Sequence, residues 1–468
     1  MQTRPATGFD VLEWARGNYE HELTEDQKMA LVAIYNWLMN PDGHNYFVLK
    51  GYAGTGKTTL TQLIIKLAQN VLRFRCIGMA PTHKAAAVLG AKLTCEVTTI
   101  HSASGFRMER LDEGGHSHYI EKSEGLAAYD LAALDEASMS NEELLEALET
   151  NRYNCLVLVV GDPAQLNPVG ESRISKAFKL SKLKVTLKEI TRQAKGNPLI
   201  AASMKVRKAM RDDIALKIPH LQDWLPENHF VPRRKAIIRY IKALERGLNP
   251  RILAYRNRTV ISFNTHIHRA LFPESDLLFC VGEPVIMQDG WSIPSEKPGR
   301  RDEVAYRDPR WSGLQEQLQL RNSFEFLVKE SEIMPHPIYP RFNCYKLLLV
   351  EQHTVNDKKQ AGSHAFVPFD DEEIQGEVDR LFDIVRNTPY ERGKTDRARA
   401  VREAWAFRNS WAQVRHSYAL TVHKSQGSTF DAAYVDFGDL QVMRNRFDFL
   451  RGLYVALTRP SMAVRFLI

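Results

Sequence analysis

Cysteine is scarce and scattered. The five residues Cys76, Cys95, Cys155, Cys280 and Cys344 include no Cys-x-x-Cys pair. That spacing excludes a disulfide framework or a zinc knuckle and fits reduced thiols in a cytosol-like compartment. Long apolar runs are missing too, since nothing approaches the roughly 18 residues that a membrane-spanning helix needs. Met1 to Asp10 lacks the hydrophobic centre of a secretion signal. No internal repeat or low-complexity tract is visible. These absences point to a soluble, cytoplasmic protein without a membrane partner.

The totals allow more than they decide. At 468 residues the chain exceeds one compact core, and about three or four domains are expected. Lys and Arg number 63 against 56 Asp and Glu, a net charge of +7. That mild basic bias suits a polyanionic partner without requiring one. No heptad or large apolar patch is legible, so a monomer is expected.

The informative stretch is Gly51-Tyr-Ala-Gly-Thr-Gly56-Lys57-Thr58-Thr59. Gly51, four residues, then Gly56-Lys57-Thr58 is the full P-loop spacing. Tyr46 to Leu49 before it reads as a buried strand, and Leu60, Ile64, Ile65 and Leu67 after it mark a helix face. Strand, glycine turn and helix start gather backbone N–H groups around a polyphosphate. In such a loop Lys57 reaches the β- and γ-phosphates, and the Thr58 hydroxyl ligates Mg²⁺. The chain is expected to bind a nucleoside triphosphate.

Two further strand ends carry polar groups. Leu131 to Leu134 runs into Asp135-Glu136, and Leu156 to Val160 runs into Gly161-Asp162-Pro163-Ala164-Gln165. Apolar runs without alternation indicate a parallel sheet covered on both faces, which binds ligands at its carboxyl ends. Asp135 is suited to hold Mg²⁺, and Glu136 to orient and deprotonate an attacking water. A second carboxylate favours hydrolysis over transfer to a small metabolite. Gln165 is a candidate γ-phosphate sensor, with a solvated loop amide as the plainer alternative. Arg192 and Arg459 are candidates for the positive charge that phosphoryl transfer needs. Gln27 closes a capping box with Thr24, or projects towards a base; the residues alone leave both open.

Elsewhere, Gly114-Gly115 signals a hairpin between partly alternating arms. Residues 283–370 mix Pro, charge and short β-like runs, suggesting a small barrel. Two amphipathic helices follow, over Asp371 to Asn387 and Thr395 to Trp411, the second with Val401, Trp405 and Trp411 on one face. The chain closes on an apolar strand from Ala463.

Taken in order, these motifs resemble superfamily 1 DNA helicases of the 1B group, most nearly the Dda-type helicases of T-even-like phages. The matching stretches are Leu23 to Gln27, Gly51 to Thr58, Ala80-Pro81-Thr82-His83, Thr99-Ile100-His101, Asp135 to Met139, Gly161 to Leu166, Arg192, Thr421 to Phe430 and Tyr454 to Arg459. The resemblance implies an α/β fold: two RecA-like parallel-sheet P-loop domains, a β-hairpin (pin) insertion, and a β-barrel plus helical-arm insertion. The expected boundaries are 1–195 for domain 1A with its pin at about 103–124, 196–281 and 413–468 for domain 2A, and 282–412 for an SH3-like barrel with arm, domain 2B.

By matching position, Gln27, Gly51, Ala53, Gly54, Thr55, Gly56, Lys57, Thr58, Thr59 and Gly427 would bind ATP, with Thr58 and Asp135 on Mg²⁺. Lys57, Asp135, Glu136, Gln165, Arg192 and Arg459 would carry catalysis, the two arginines as fingers. Pro81, Thr82, His83 and His101 would line the single strand, with Asn257, Thr421 and His423 opposite. On the pin, His116, His118 or Tyr119 would meet the duplex. Pro460 departs from the usual small or basic residue after the motif of Arg459.

The implied activity is ATP-dependent 5′-to-3′ translocation on single-stranded DNA with duplex unwinding. The alternative is a DNA-stimulated ATPase that translocates on or remodels protein–DNA complexes without opening duplex. Single-stranded DNA and single-strand/duplex junctions are the implied partners, with replication or single-strand-binding proteins beside them. Replication or recombination in a phage-infected bacterial cytosol is the implied setting.

Overall fold

The computed structural model describes residues 9–110, 117–121, 125–167, 175–191, 197–291, 320–351, 362–389 and 396–468, with backbone only for 106–110 and 117–121. The chain divides into two compact units. The first comprises Met1–Arg107, Tyr119–Phe263 and Ala419–Ile468; the second comprises Met108–His118 and Asn264–Tyr418.

The first unit holds two parallel sheets. Strands β1 (Tyr46–Gly51), β2 (Cys76–Ala80), β3 (Glu96–Thr99), β6 (Leu131–Leu134), β7 (Leu156–Gly161) and β8 (Lys184–Leu187) form a six-stranded sheet ordered β3-β2-β6-β7-β1-β8. Every pairing in it is parallel. Side chains alternate between two cores. Phe47, Leu49, Leu158 and Val160 join Leu60 and Ile64 on one face. Tyr46, Val48, Val157 and Val159 join Leu144 and Leu148 on the other. This is why these strands read as unbroken apolar runs: both faces are covered.

β1 lies between β7 and β8, and β7 is flanked by β6, so the carboxyl ends of β1, β6 and β7 emerge side by side. Between β3 and β6 the chain forms a two-stranded hairpin, β4 (Phe106–Arg110) with β5 (Ser117–Glu121). Its tip lies outside the described residues. The stretch Thr98 to Ser102 splits: β3 ends at Thr99, whose side chain caps the short helix Ile100–Ala103.

The second sheet of this unit uses β9 (Phe230–Val231), β10 (Pro250–Ala254), β16 (Ala419–Thr421), β17 (Phe430–Asp436) and β18 (Pro460–Leu467), ordered β16-β10-β17-β18-β9 and parallel throughout. Pro460 opens β18, a strand position where a missing N–H is tolerated.

The second unit is antiparallel. β11 (Pro284–Met287), β12 (Glu325–Pro335), β13 (Asn343–Glu351), β14 (Ser363–Pro368) and β15 (Val414–His416) are ordered β14-β13-β12-β11-β15. Ala412 N–H donates to Phe366 O over 2.7 Å, so the chain entering β15 returns to β14 and the sheet curls on itself. β15 pairs with β11, and the first unit resumes at Ala419. The helices Asp371–Asn387 and Asp396–Asn409 form the arm and pack through Phe382 against Trp405. Trp411, expected on the second arm helix, lies beyond its end and packs on His336 with centroids 4.3 Å apart. Ala404 and Phe407 are the buried residues of that helix instead. Among the described residues no helix is long and apolar enough to cross a membrane.

Candidate nucleotide site and single-strand track

The P-loop is shaped by its glycines and tied down by its neighbours. Gly54 and Gly56 take φ of 80° and 76°, the left-handed region that a side chain rarely adopts. A Cβ on Gly56 would also meet Gln27 Nε2 at 2.6 Å. Thr191 N–H and Oγ1 both donate to Gly54 O, at 2.8 and 3.1 Å. Gly56 then caps the helix Lys57–Asn70, aiming its N-terminus at the loop. Lys57 Nζ donates to Gly51 O and Tyr52 O, at 3.0 and 2.9 Å.

Gln27 fulfils its capping box and also grips the loop. Its Oε1 accepts from Thr24 N–H at 3.0 Å while its Nε2 donates to Thr55 O at 3.1 Å. Both ends of the amide are thus engaged by the protein.

At the end of β6, Asp135 is 7% exposed; its Oδ2 accepts from Thr58 Oγ1 at 3.0 Å and its Oδ1 from Glu136 N–H at 2.8 Å. Glu136 is half-buried at φ 51° and ψ 39°. A side chain in that region is strained, and such strain gathers at functional sites. Burial, then the Asp135 charge, raise the Glu136 pKa above the ordinary carboxylate range, with Arg459 and Lys57 opposing. A raised carboxyl is what a general base needs near neutral pH.

One pocket is lined by Gly54, Gly56, Lys57, Thr58, Asp135 and Glu136, together with Gln165 from the β7 side and Gly427, Thr429 and Arg459 from the second sheet's elements. Gln165 is 2% exposed, and its Oε1 has no hydrogen-bond partner among the described residues. Arg459, 5% exposed at the end of the helix Arg446–Thr458, has an Nε without a partner among the described residues. Buried polar atoms without partners are costly and call for an occupant. Gln426, within the stretch Thr421 to Phe430, directs its Nε2 to Leu166 O at 3.4 Å. Arg192 and His116 lie outside the described residues. His118 and Tyr119 sit on β5, whose side chains are likewise outside the description.

The candidate DNA residues collect at strand ends. Ala80 pairs with Thr99, which sets Pro81, Thr82 and His83 beside His101 at one carboxyl edge. Thr82 caps the helix His83–Gly90 through Ala85 N–H at 3.2 Å. Ala254 pairs with Thr421, which sets Asn257 near Thr421 and His423 at the edge of the other sheet. Tyr255 lies 6.1 Å from His423, ring to ring. Burial lowers the pKa of both His101 and His423, favouring neutral imidazoles.

These features define a P-loop nucleotide-binding core built on two RecA-like sheets. A family model described as an AAA domain matches residues 22–228, and a UvrD-like helicase C-terminal domain matches residues 416–467. The chain is 28% identical over 282 residues to the ATP-dependent DNA helicase dda of Enterobacteria phage T4, covering 57% of this chain and 61% of that one. It is 32% identical over 205 residues to the ATP-dependent RecD2 DNA helicase of Deinococcus radiodurans, covering 43% of this chain and 26% of that one. The fold is similar to that of a Bacteroides Pif1 helicase solved with ADP-AlF3 and single-stranded DNA. That likeness has a TM-score of 0.51 at 18% identity, covering 95% of this chain and 92% of that one. The chain is thus similar in sequence to ATP-dependent DNA helicases over part of its length and shares its fold with a Pif1 helicase.

Proposed function

We propose that the chain is an ATP-dependent DNA helicase that moves 5′-to-3′ on single-stranded DNA and separates the duplex ahead of it. The observation that carries the reading is the convergence of buried Gln165 and Arg459, each with a polar atom unpartnered among the described residues, on the pocket of Lys57 and Glu136. A nucleotide held only for binding would not need that set. The names of the T4 and Deinococcus relatives support the choice of DNA as substrate.

In this reading the P-loop amides and Lys57 hold the phosphates. Thr58 Oγ1 and Asp135 offer the hard oxygen ligands that fit Mg²⁺. When bound, that ion neutralises charge developing on the phosphates. Glu136 takes the proton of the attacking water while Gln165 Oε1 accepts its other hydrogen. Arg459 donates to the γ-phosphate oxygens, and phosphate loss removes its partner. Alternation of that contact moves one sheet's strand edge relative to the other, so Pro81–His101 and Asn257–His423 grip DNA in turn. The pin residue His116, His118 or Tyr119 would meet the duplex, and Arg192 would supply a second finger. The domain assignments given above, action in replication or recombination, monomeric function and a phage-infected host cytosol belong to the same proposal.

The deciding experiment offers a short duplex with a single-stranded tail on its 5′ or its 3′ side, with ATP and Mg²⁺. Opening of the 5′-tailed substrate alone is expected. Opening of the 3′-tailed one alone would overturn the polarity. Opening of neither, with hydrolysis still stimulated by single strands, would leave a translocase or remodeller that does not unwind.

A further inference from the structure

Tyr454 is 1% exposed and sits on the helix Arg446–Thr458, the helix that ends at Arg459. Its phenol uses its full hydrogen-bonding capacity, one donor and two acceptor sites. It accepts from the P-loop N–H of Ala53 at 3.0 Å and from Arg207 Nη1 at 3.0 Å, and it donates to Asp162 Oδ2 at 2.7 Å. Asp162 in turn accepts from Arg207 Nη1 at 2.5 Å and from Ala164 N–H at 3.0 Å, one residue before Gln165. The Arg207 guanidinium lies over the ring of Tyr52, 3.9 Å from its centroid.

One oxygen therefore joins three parts of the nucleotide site. The P-loop is held through Ala53 and, by way of Arg207, through Tyr52. The turn that presents Gln165 is held through Asp162. The finger helix is held because Tyr454 belongs to it. Five residues of helix, about 7.5 Å of rise, separate Tyr454 from Arg459. A displacement of the P-loop at Ala53 is thereby passed along a stiff element to the guanidinium.

We infer that Tyr454 is a positioning residue that sets Arg459 against the P-loop, so that phosphate occupancy and finger placement change together. The inference rests on the proposed role of Arg459 in hydrolysis. Burial, then the Asp162 charge, push the phenol's pKa up, so Tyr454 remains a neutral donor throughout the working pH range. Burial disfavours the charge on Arg207, yet Asp162 and Tyr454 outweigh it and hold the guanidinium protonated.

The test measures DNA-stimulated ATP hydrolysis in wild type, Tyr454→Phe, Arg459→Ala and the double variant, with melting temperatures alongside. Tyr454→Phe keeps the ring and removes the hydroxyl. A fall in kcat of about ten- to a hundredfold is expected, the size that a 1 Å misplacement of a reacting group produces, with KM for ATP little changed. The double variant should be no slower than Arg459→Ala alone, because residues acting through one another are not additive. Wild-type kcat in Tyr454→Phe, with or without a lower melting temperature, overturns the inference. So does a double variant slowed by the product of the two single effects. Should Tyr454→Phe not fold, Arg207→Lys, which keeps the charge but loses the stacked fork, must show the same kcat loss and the same non-additivity. Arg459→Ala hydrolysing at the wild-type rate would overturn the finger role and this inference together. Loss of the Tyr454 effect alone leaves the helicase reading standing.

Discussion

The hydroxyl of Thr58 donates to Oδ2 of Asp135 over 3.0 Å, closing the gap between the start of the P-loop helix and the end of β6. Both groups are hard oxygen ligands, and a divalent cation placed there would take them from each other. Asp135→Asn keeps the size and weakens the ligand. Hydrolysis should fall by about a hundredfold or more, the scale set by loss of one electrostatic partner of the transition state. A Mg²⁺ titration of the ATPase checks this: the variant's half-saturation should move to higher Mg²⁺.

Glu136 gives a pH prediction. Burial beside Asp135 raises its pKa, so its base form is lost at a higher pH than for an ordinary carboxylate. The ATPase should therefore fall on the acid side at a pH above the usual carboxylate range of about 4.3. Glu136→Gln should lose about 10²–10⁴ in kcat and flatten that acid limb. A pH–rate profile of both proteins reads the two effects together.

Neutral imidazoles at His101 and His423 predict a contact with bases rather than with phosphates. Alanine at either should weaken single-strand binding by about 1–3 kcal/mol, as for a lost stacking platform. The slope of affinity against salt should stay the same, because no phosphate charge is neutralised. Fluorescence anisotropy across a salt series separates the two behaviours. A shallower slope in the variant would place the histidines on the backbone instead.

In the second unit, Glu283 is a buried carboxylate gathered by several elements. It accepts from Tyr418 Oη and Cys280 N–H, both at 2.6 Å, and faces His268 Nδ1 at 2.7 Å. His416 Nε2 lies 3.4 Å away, close enough for attraction but outside hydrogen-bond geometry. Burial alone would raise the Glu283 pKa; contacts from His416, Tyr418 and His268 outweigh it and carry the pKa down. Its stabilising contribution is thus present above the unfolded value of about 4.3 and is lost as pH falls through the lower folded value. Glu283→Ala should cost about 3–5 kcal/mol at neutral pH. Denaturant unfolding at neutral and acid pH measures it, and the gap between the two proteins should narrow in acid.

What the sequence discloses about this molecule depends on how far apart the cooperating residues lie. The P-loop and the strand-end carboxylates are contiguous, so glycine spacing and apolar runs point directly at them. The hairpin is signalled by Gly114-Gly115, and the arm helices by their periodicity. Arg207 gives no such signal, and Tyr454, though it opens a matched stretch, shows no role of its own there: their partners Asp162 and Ala53 are remote in the chain. Gln27 was legible as a cap, but its second bond, to Thr55 O, exists only once the P-loop folds back over it. Trp411 misled because periodicity counts residues past the point where a helix stops.

The interleaving of β16, β10, β17, β18 and β9 bears on how the chain is made. β9 and β10 leave the ribosome long before β17 and β18, which must enter between them. Contacts so remote along the chain form slowly, whereas amino-terminal portions fold as they emerge. The six-stranded sheet with its P-loop can therefore assemble early, while Arg459 is still unsynthesised. A nascent polypeptide would capture nucleotide without turning it over, and the motor would start only when its last strands slot home.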